Sequence, residues 1–252
     1  MSVIGVIPAR AASTRLPGKM LRDLGGEPLV VRTWRQASKA TSLDRLIVAT
    51  DDEAIRRAVE AAGGEAVMTR PDHPSGTDRI FEAVQGLDET VQGLDTIVIN
   101  IQGDEPFIDP ALIDRLAAAV AQPGWDMATA AVPIGLAEDL LAPSVVKVVA
   151  DAAGRALYFS RSPIPHVRDG GPGPVAGLHW RHLGIYAYRF GALARFVAAL
   201  PSPAEEAEKL EQLRALHLGL AIRVLETESA SPGIDTEEDL RRAEAMVRGG
   251  GQ

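Results

Sequence analysis

The sequence predicts an α/β fold in which a mostly parallel, Rossmann-like sheet is flanked by helices. In the first half, short apolar runs typical of strands alternate with amphipathic segments typical of helices, an order that places helices on both faces of a parallel sheet. The chain of 252 residues is 46% hydrophobic and 24% charged, which is enough for a substantial core. From about residue 127 onward, several β-rich segments predict a smaller extension beside this sheet.

Three strands and two helices form the predicted βαβαβ start of the sheet. The strands are short apolar runs bounded by polar or glycine-rich turns. The second helix carries its own boundary signals, because Asp51 or Asp52 can cap its start and Gly63-Gly64 can end it. The elements are a strand over 2–7, a helix over about 28–39, a strand over 45–50, the capped helix and a strand over 65–69.

The same rhythm continues to a fourth strand. A helix is expected after Ser75-Gly76-Thr77-Asp78, the apolar run 96–101 predicts a strand, and another helix begins near Pro110. Helical patterns over 204–219 and 236–248 close the chain. The β-rich segments that precede them, and that predict an antiparallel arrangement, are MATAAVPI, VVKVVAD, ALYFSRS and HLGIYAYR.

Charge and composition exclude several classes of protein. The formal net charge of −8 argues against broad nucleic-acid binding, which needs an extended basic surface. No apolar run approaches twenty residues and the first segment is too short for a signal peptide, so we expect a cytoplasmic protein that does not bind membranes. The absence of cysteine excludes a disulfide scaffold, a thiol nucleophile and a zinc–thiolate site.

The loop after the first strand is basic within this acidic chain. Among the first 22 residues four are basic and none is acidic. Loop 8–19 offers cations, hydroxyls and closely spaced backbone donors, a set that suits a triphosphate. It matches neither the glycine fingerprint of dinucleotide-binding proteins nor the P-loop pattern. A solvated basic loop is the alternative interpretation.

This loop, IPARAASTRLPGK, resembles the signature loop of the CMP-Kdo synthetases, members of the sugar nucleotidyltransferase superfamily that act on 3-deoxy-D-manno-octulosonate (Kdo). The resemblance extends along nearly the whole chain, through VATDD, VMTRPDHPSGTDR, INIQGDEP, KVV, YFSRSPIP, RHLGIYAYR, KLEQLR and GIDTEEDL. It implies a Mg²⁺-dependent enzyme that transfers CMP from CTP to the anomeric hydroxyl of Kdo, releases pyrophosphate and activates Kdo for lipopolysaccharide biosynthesis. It also implies a homodimer.

The resemblance assigns CTP binding to residues in three of these segments. Loop 8–19, called the phosphate loop below, would hold the CTP phosphates, and its cations would neutralise their charge. Ser75, Gly76 and Thr77 would line the base pocket, where glycine permits close approach. A helix N-cap is the other interpretation of Ser75 or Thr77, and both roles can coexist. The full set implied for CTP is Pro8, Ala9, Arg10, Arg15, Lys19, Ser75, Gly76, Thr77 and Gln102.

Two aspartates correspond to the family's magnesium ligands. Asp104 follows the fourth strand, and Asp235 precedes the last helix. Mg²⁺ binds proteins through one or two carboxylates and completes its coordination with water and phosphate oxygens. A turn former and an N-cap are the alternative roles of Asp104 and Asp235. Together with Lys19, these two residues form the expected catalytic set.

The sugar site is implied mainly by segments of the second half. Arginine suits a sugar carboxylate because its planar fork can donate two parallel hydrogen bonds. An ordinary strand-end histidine and a solvated helix face are the alternatives for His182 and Glu211. Arg168 lies in the stretch 165–177, which departs from the family pattern, so no role is carried over to it. The implied sugar residues are Gln102, Arg161, His182, Tyr186, Glu211 and Gln212.

One nucleotidyltransferase domain is expected over residues 1–252. Residues 1–126 would bind mainly nucleotide, 127–230 would form the sugar-binding and dimerisation part, and 231–252 would close the chain with the second metal aspartate. A CMP-sialic acid synthetase and an 8-amino-Kdo cytidylyltransferase are the enzyme alternatives, and a regulatory nucleotide-binding protein is the non-enzyme one. An NAD-linked oxidoreductase is disfavoured because the glycine fingerprint is missing.

Overall fold

The chain divides into two compact units in the computed structural model, which describes residues 1–13, 15–87, 96–171, 173–228 and 230–249. Unit 1 comprises residues 1–115 and 231–252, and unit 2 comprises residues 116–230. The closing segment of the chain therefore groups with the first half. The first of the two boundaries between the units, after residue 115, falls within the helix α4 (Pro110–Ala121).

Unit 1 is built on a parallel sheet with the strand order β3-β2-β1-β4. Its centre is apolar, and Ile4, Ile47 and Ile97 are completely buried. Parallel strands need long crossover connections, and the segments between them supply helices. The elements are β1 (Val3–Ala9), a 3₁₀ helix (Lys19–Leu21), α1 (Leu29–Ala37), β2 (Arg45–Thr50), α2 (Glu53–Ala61), β3 (Glu65–Met68), α3 (Gly76–Gln85), β4 (Ile97–Asn100) and α9 (Glu237–Gly249).

Unit 2 is richer in antiparallel pairing. Strand β5 pairs antiparallel with β8 and parallel with β9, and β6 pairs antiparallel with both β7 and β8. The elements are β5 (Met127–Pro133), α5 (Ala137–Leu141), β6 (Lys147–Ala150), β7 (Ala156–Ser160), β8 (Trp180–Arg189), α6 (Phe190–Ala198), α7 (Pro203–Glu208), α8 (Gln212–His217) and β9 (Ile222–Glu226). Over the described ranges, no helix combines the length and the apolar character that crossing a membrane requires.

The predicted α/β class and the mostly parallel sheet flanked by helices are confirmed. The continuous helix predicted over 204–219 is wrong, because two short helices, α7 and α8, occupy this range. Lys209 lies between them with φ of 52°, a left-handed conformation that ends α7. The helix α6 and the strand β9 were not predicted.

Candidate functional site

The phosphate loop leaves the carboxyl end of β1, where a parallel sheet presents ligand-binding groups. Gly18, with φ of 64°, turns the chain into the 3₁₀ helix that carries Lys19. The Lys19 side chain is largely buried, whereas Arg15 is mostly exposed. Within this loop Lys19 is therefore fixed, whereas Arg10 and Arg15 are open to solvent.

Lys19 lies between two carboxylates. Its Nζ is 2.6 Å from Oδ2 of Asp104 and 3.0 Å from Oδ1 of Asp235, and Nη2 of Arg15 is 3.0 Å from the same Asp235 oxygen. Lys19 thus directly contacts both aspartates of the expected catalytic set. The three residues come from three separate segments of unit 1.

Close packing positions the loop that carries Asp104. A Cβ atom on Gly103 would lie 3.1 Å from both the Pro8 carbonyl oxygen and Sδ of Met20, so a larger residue would require these neighbours to shift by a few tenths of an ångström. The buried hydroxyl of Thr33 on α1 also contacts the Gly103 carbonyl oxygen at 3.0 Å. These contacts fix the direction in which the chain enters Asp104.

Asp235 is brought to Asp104 by the packing of the closing segment. The N–H of Ile234 donates to the carbonyl oxygen of Asp104 at 2.9 Å. The side chain of Ile234 is buried in an apolar cluster shared by the phosphate loop and α9. The cluster contains Leu16, Leu24, Leu29, Ile234, Leu240 and Ala243. Burial of this apolar surface therefore stabilises a contact between residues far apart in the sequence.

The electrostatics of the cluster favour a charged Lys19. Burial works against the charge of the ammonium group, but attraction and hydrogen bonding to Asp104 and Asp235 outweigh it and raise the pKa of Lys19 above its ordinary value of 10.5. Lys19 is therefore a cation at neutral pH. The two carboxylates already face a cationic group, and oxygen ligands of this kind are those that Mg²⁺ prefers.

The donor set fits a magnesium site that the protein completes only in part. Within the described ranges no group of three or more acidic or histidine side chains is arranged to hold a metal ion. Two carboxylates are nonetheless enough for Mg²⁺, since water and substrate phosphate oxygens normally occupy its other positions. Asp104 and Asp235 are the residues that would hold the ion.

The base-pocket segment starts α3 and lies beside β1. The Ser75 hydroxyl accepts from the N–H groups of Thr77 and Asp78, at 3.2 and 3.4 Å, so Ser75 is the N-cap of α3. A Cβ atom on Gly76 would lie 3.5 Å from Cγ of Pro8, in ordinary contact. The structure thus brings Ser75, Gly76 and Thr77 next to the start of the phosphate loop, and the capping interpretation is correct for Ser75.

In unit 2, Arg161 is held by the backbone. Its Nε donates to the carbonyl oxygen of Glu208 at 2.6 Å, Nη1 to that of Pro143 at 2.9 Å and Nη2 to that of Lys209 at 3.3 Å. A guanidinium group carries five N–H donors, so one further N–H remains on each of Nη1 and Nη2. The guanidinium group therefore keeps two donors, the number that a carboxylate can accept.

His182 and Tyr186 form part of an aromatic row on β8. The His182 ring is 5.0 Å from the ring of Phe159 and 5.3 Å from that of Tyr186. Burial lowers the pKa of His182 to about 3, so the ring is neutral at physiological pH. Its Nε2 lies 3.0 Å from the hydroxyl of Thr129, which donates its single proton toward the carbonyl oxygens of β8. His182 therefore carries its proton on Nε2 and donates it to Thr129.

Similar proteins identify the family to which the chain belongs. The sequence profile of the family described as cytidylyltransferase matches residues 4–222. The chain is a member of the cytidylyltransferase family. A solved structure of CMP:2-keto-3-deoxy-manno-octonic acid synthetase complexed with CTP is 39% identical to it, with a TM-score of 0.91 over 99% of this chain and 100% of that chain. The resemblance to CMP-Kdo synthetases is confirmed, since this octonic acid is Kdo.

A more distant similarity concerns the fold alone. The crystal structure of a 4-diphosphocytidyl-2C-methyl-D-erythritol synthase from Anaerococcus prevotii DSM 20548 has 15% identity and a TM-score of 0.63, over 98% of this chain and 99% of that chain. The family and the similarity to the CMP-Kdo synthetase show that the chain is an enzyme of the nucleotidyltransferase class. With the erythritol synthase it shares the fold.

The remaining predicted residues are distributed over both units. Gln102 is half-buried in unit 1, where its Nε2 lies 3.4 Å from Oδ1 of Asn100. Glu211 and the buried Gln212 lie at the start of α8 in unit 2. Arg10 and Arg168 are exposed. The structure thus brings Lys19, Asp104 and Asp235 together within unit 1. The roles of the other residues remain predictions.

Two supporting residues of unit 2 were not identified from the sequence. Lys147 is completely buried, and its Nζ donates to the carbonyl oxygens of Ala142, Val145 and Arg161. The Glu208 carboxylate accepts from the Ser160 hydroxyl at 2.7 Å and from the Arg161 N–H at 2.8 Å. The signal available for Lys147 was a single lysine within the apolar run VVKVV. These residues fix the backbone on which Arg161 is mounted.

Proposed function

We propose that the protein transfers CMP from CTP to the anomeric hydroxyl of Kdo and releases pyrophosphate. The observation that carries the proposal is the contact of Lys19 with Asp104 and Asp235 at the end of a parallel sheet. The similarity to a CMP-Kdo synthetase complexed with CTP supplies the substrates. The anomeric oxygen forms a bond to the α-phosphorus, the bond from that phosphorus to the bridging oxygen of pyrophosphate breaks, and the hydroxyl proton is released.

Residues of unit 1 would bind and orient the triphosphate. Arg15, Lys19 and the exposed Arg10 would neutralise its charge, which also stabilises pyrophosphate as the leaving group. Ser75, Gly76 and Thr77 would contact the base. Asp104 and Asp235 would hold Mg²⁺, which when bound polarises phosphate oxygens and assists ionisation of the attacking hydroxyl. The protein needs no covalent nucleophile, because positioning and charge stabilisation are the main requirements of such a transfer.

Residues of unit 2 would recognise the sugar acid. The two remaining N–H groups of Arg161 match the two oxygens of a carboxylate in number. Neutral His182 can accept from a sugar hydroxyl through Nδ1, because its Nε2 faces Thr129. Tyr186, Glu211, Gln212 and Gln102 remain predictions for the other hydroxyl groups. The homodimer, the cytoplasmic location and the role in lipopolysaccharide biosynthesis also remain predictions that rest on the family resemblance.

A pyrophosphate-release assay with CTP and Mg²⁺ tests the proposal. We expect kcat/KM to be highest for Kdo when Kdo, its 8-amino analogue and sialic acid are compared. A preference for sialic acid, or equal rates with sugars that lack the carboxylate, would contradict the assignment of Kdo. Calorimetry of CTP binding without sugar tests the nucleotide half separately.

A further inference from the structure

A buried ion pair lies directly behind the phosphate loop of unit 1. Nη2 of Arg79, on α3, is 2.9 Å from Oδ2 of Asp51, which follows β2. The side chains are only 4% and 11% exposed. Removing two charges from water is costly, and the cost is recovered only when further hydrogen bonds satisfy both groups. The other contacts of the pair therefore matter.

Each partner makes a second contact to a different part of the unit. The other carboxylate oxygen of Asp51, Oδ1, accepts from the backbone N–H of Ala11 in the phosphate loop at 3.0 Å. Nη1 of Arg79 donates to the hydroxyl of Thr69, which in turn donates to the carbonyl oxygen of Thr50 at 3.1 Å. The pair thus connects the phosphate loop to the ends of β2 and β3 and to the helix that begins at the base-pocket segment.

The charges of the pair have opposite effects on a bound triphosphate. The Asp51 carboxylate holds the loop backbone through a charge-assisted hydrogen bond, but its negative charge repels phosphate. Arg79 neutralises that charge at close range while remaining shielded from solvent. The loop is therefore anchored to an acidic group without an uncompensated negative charge beside the nucleotide site.

We infer that Asp51 and Arg79 are positioning residues for the phosphate loop and set its backbone for the triphosphate of CTP. The inference rests on the proposed function. Neither side chain needs to touch the nucleotide, since Asp51 acts through Ala11 and Arg79 acts through Asp51. Loss of the pair should loosen the loop before the ligand arrives, which costs binding energy when the loop is ordered again.

The substitution Asp51→Asn tests this role with little change of shape. The amide has one acceptor oxygen, so it cannot accept from both Ala11 and Arg79 as the carboxylate does. We expect the affinity for CTP to fall about tenfold and that for CMP to fall less than about threefold, because CMP lacks the β- and γ-phosphates. Amide hydrogen exchange over residues 9–13 should be faster in the ligand-free variant.

The matched control is Glu205→Gln in unit 2. Glu205 and Arg214 form another buried ion pair, with side chains 9% and 10% exposed. This variant should lower Tm as Asp51→Asn does, while CTP affinity and exchange over residues 9–13 stay at wild-type values. Should Asp51→Asn fail to fold, Arg79→Lys supplies the same measurements, since its single ammonium group cannot reproduce the contacts of the guanidinium fork.

Three results would overturn the inference: wild-type CTP affinity and exchange in Asp51→Asn, equal loss of CTP and CMP affinity, or equal loss of CTP affinity in the control. Failure of the wild-type protein to bind CTP would instead reject the proposed function. In that case the exchange measurement still decides whether the pair anchors the loop, because it requires no ligand.

Discussion

The cations at the two candidate sites are held in different ways. In unit 1, Lys19 contacts two side-chain carboxylates, Asp104 and Asp235. In unit 2, Lys147 and Arg161 each donate to three backbone carbonyl oxygens. Side chains can exchange one ionic partner for a ligand by rotating, whereas a backbone carbonyl cannot leave without local unfolding. The comparison indicates that Lys19 is available for chemistry, while Lys147 and Arg161 shape a site.

The carboxylates of unit 1 should give the largest effects on activity. Asp104→Asn and Asp235→Asn are each expected to lower kcat by roughly 10²–10³-fold, because the amide keeps the shape but loses the charge that holds Mg²⁺. Steady-state kinetics and Mg²⁺-dependent calorimetry of CTP binding would measure the change. The control is Glu237→Gln, which removes an exposed partner of Arg22 and should leave kcat nearly unchanged. Wild-type turnover at limiting Mg²⁺ in either aspartate variant would show that its metal role is wrong.

Arg161 should affect both stability and sugar binding. Arg161→Lys is expected to lower the free energy of unfolding by about 1–3 kcal/mol, because lysine cannot replace three hydrogen bonds to the backbone. The KM for Kdo should rise roughly tenfold with the CTP Kd unchanged, since a point charge does not reproduce a bidentate fork.

Thermal unfolding and kinetics of Arg195→Lys provide the comparison for Arg161. Arg195 is also in unit 2, but it donates a single long bond to the carbonyl oxygen of Leu218, at 3.3 Å. We expect a change of stability within about 0.5 kcal/mol for this variant. A raised KM for Kdo without any loss of stability in Arg161→Lys would contradict the anchoring role of the guanidinium group.

Most of unit 1 could be predicted from the sequence because its signals are local. The largely apolar run Arg45–Thr50 is followed by two aspartates, and it forms a strand of the same extent. Of the two predicted caps of α2, Asp51 and Asp52, the structure selects Asp52, whose side chain accepts from the N–H groups of Ala54 and Ile55. The shared contact of Asp104 and Asp235 with Lys19 has no local signal, and it was expected only through the family resemblance. The apolar cluster around Ile234 gives its physical basis.

The prediction failed in unit 2 where tertiary contacts determine the backbone. The periodic pattern over 204–219 continues through Lys209 without glycine or proline, so nothing local indicated a helix end. The break is held by contacts from elsewhere, including the bond from Arg161 to the Lys209 carbonyl oxygen. The apolar run VVKVV was a signal for the burial of Lys147, but its three acceptors could not be predicted because they are backbone groups that sequence patterns do not identify.

The neutral ring of His182 should make the stability of the protein depend on pH. The folded-state pKa of about 3 lies below the ordinary value of 6.5, so the contribution of His182 is fully present above about pH 6.5 and is lost as the pH falls toward 3. Within that window the free energy of unfolding of the wild type should decrease by up to about 1.4 kcal/mol per pH unit more than that of His182→Gln. Urea denaturation at several pH values measures the difference, and parallel curves for both proteins would contradict a neutral His182.

Lys209 offers the smallest and most local test of how unit 2 is held. Its φ of 52° and ψ of 49° are unfavourable for a residue with a Cβ atom, and its N–H donates to the Glu205 carbonyl oxygen at 2.7 Å. Lys209→Gly should therefore raise the free energy of unfolding by about 0.5–1 kcal/mol, the strain relieved less the entropy gained by the unfolded chain. Lys39→Gly is the matched control, because Lys39 is also exposed but its φ is not positive, so stability should fall. Since Arg161 binds the carbonyl oxygen of residue 209 rather than its side chain, the KM for Kdo should be the same in Lys209→Gly as in the wild type. A loss of stability in Lys209→Gly equal to that in Lys39→Gly would mean that the left-handed conformation imposes no cost there.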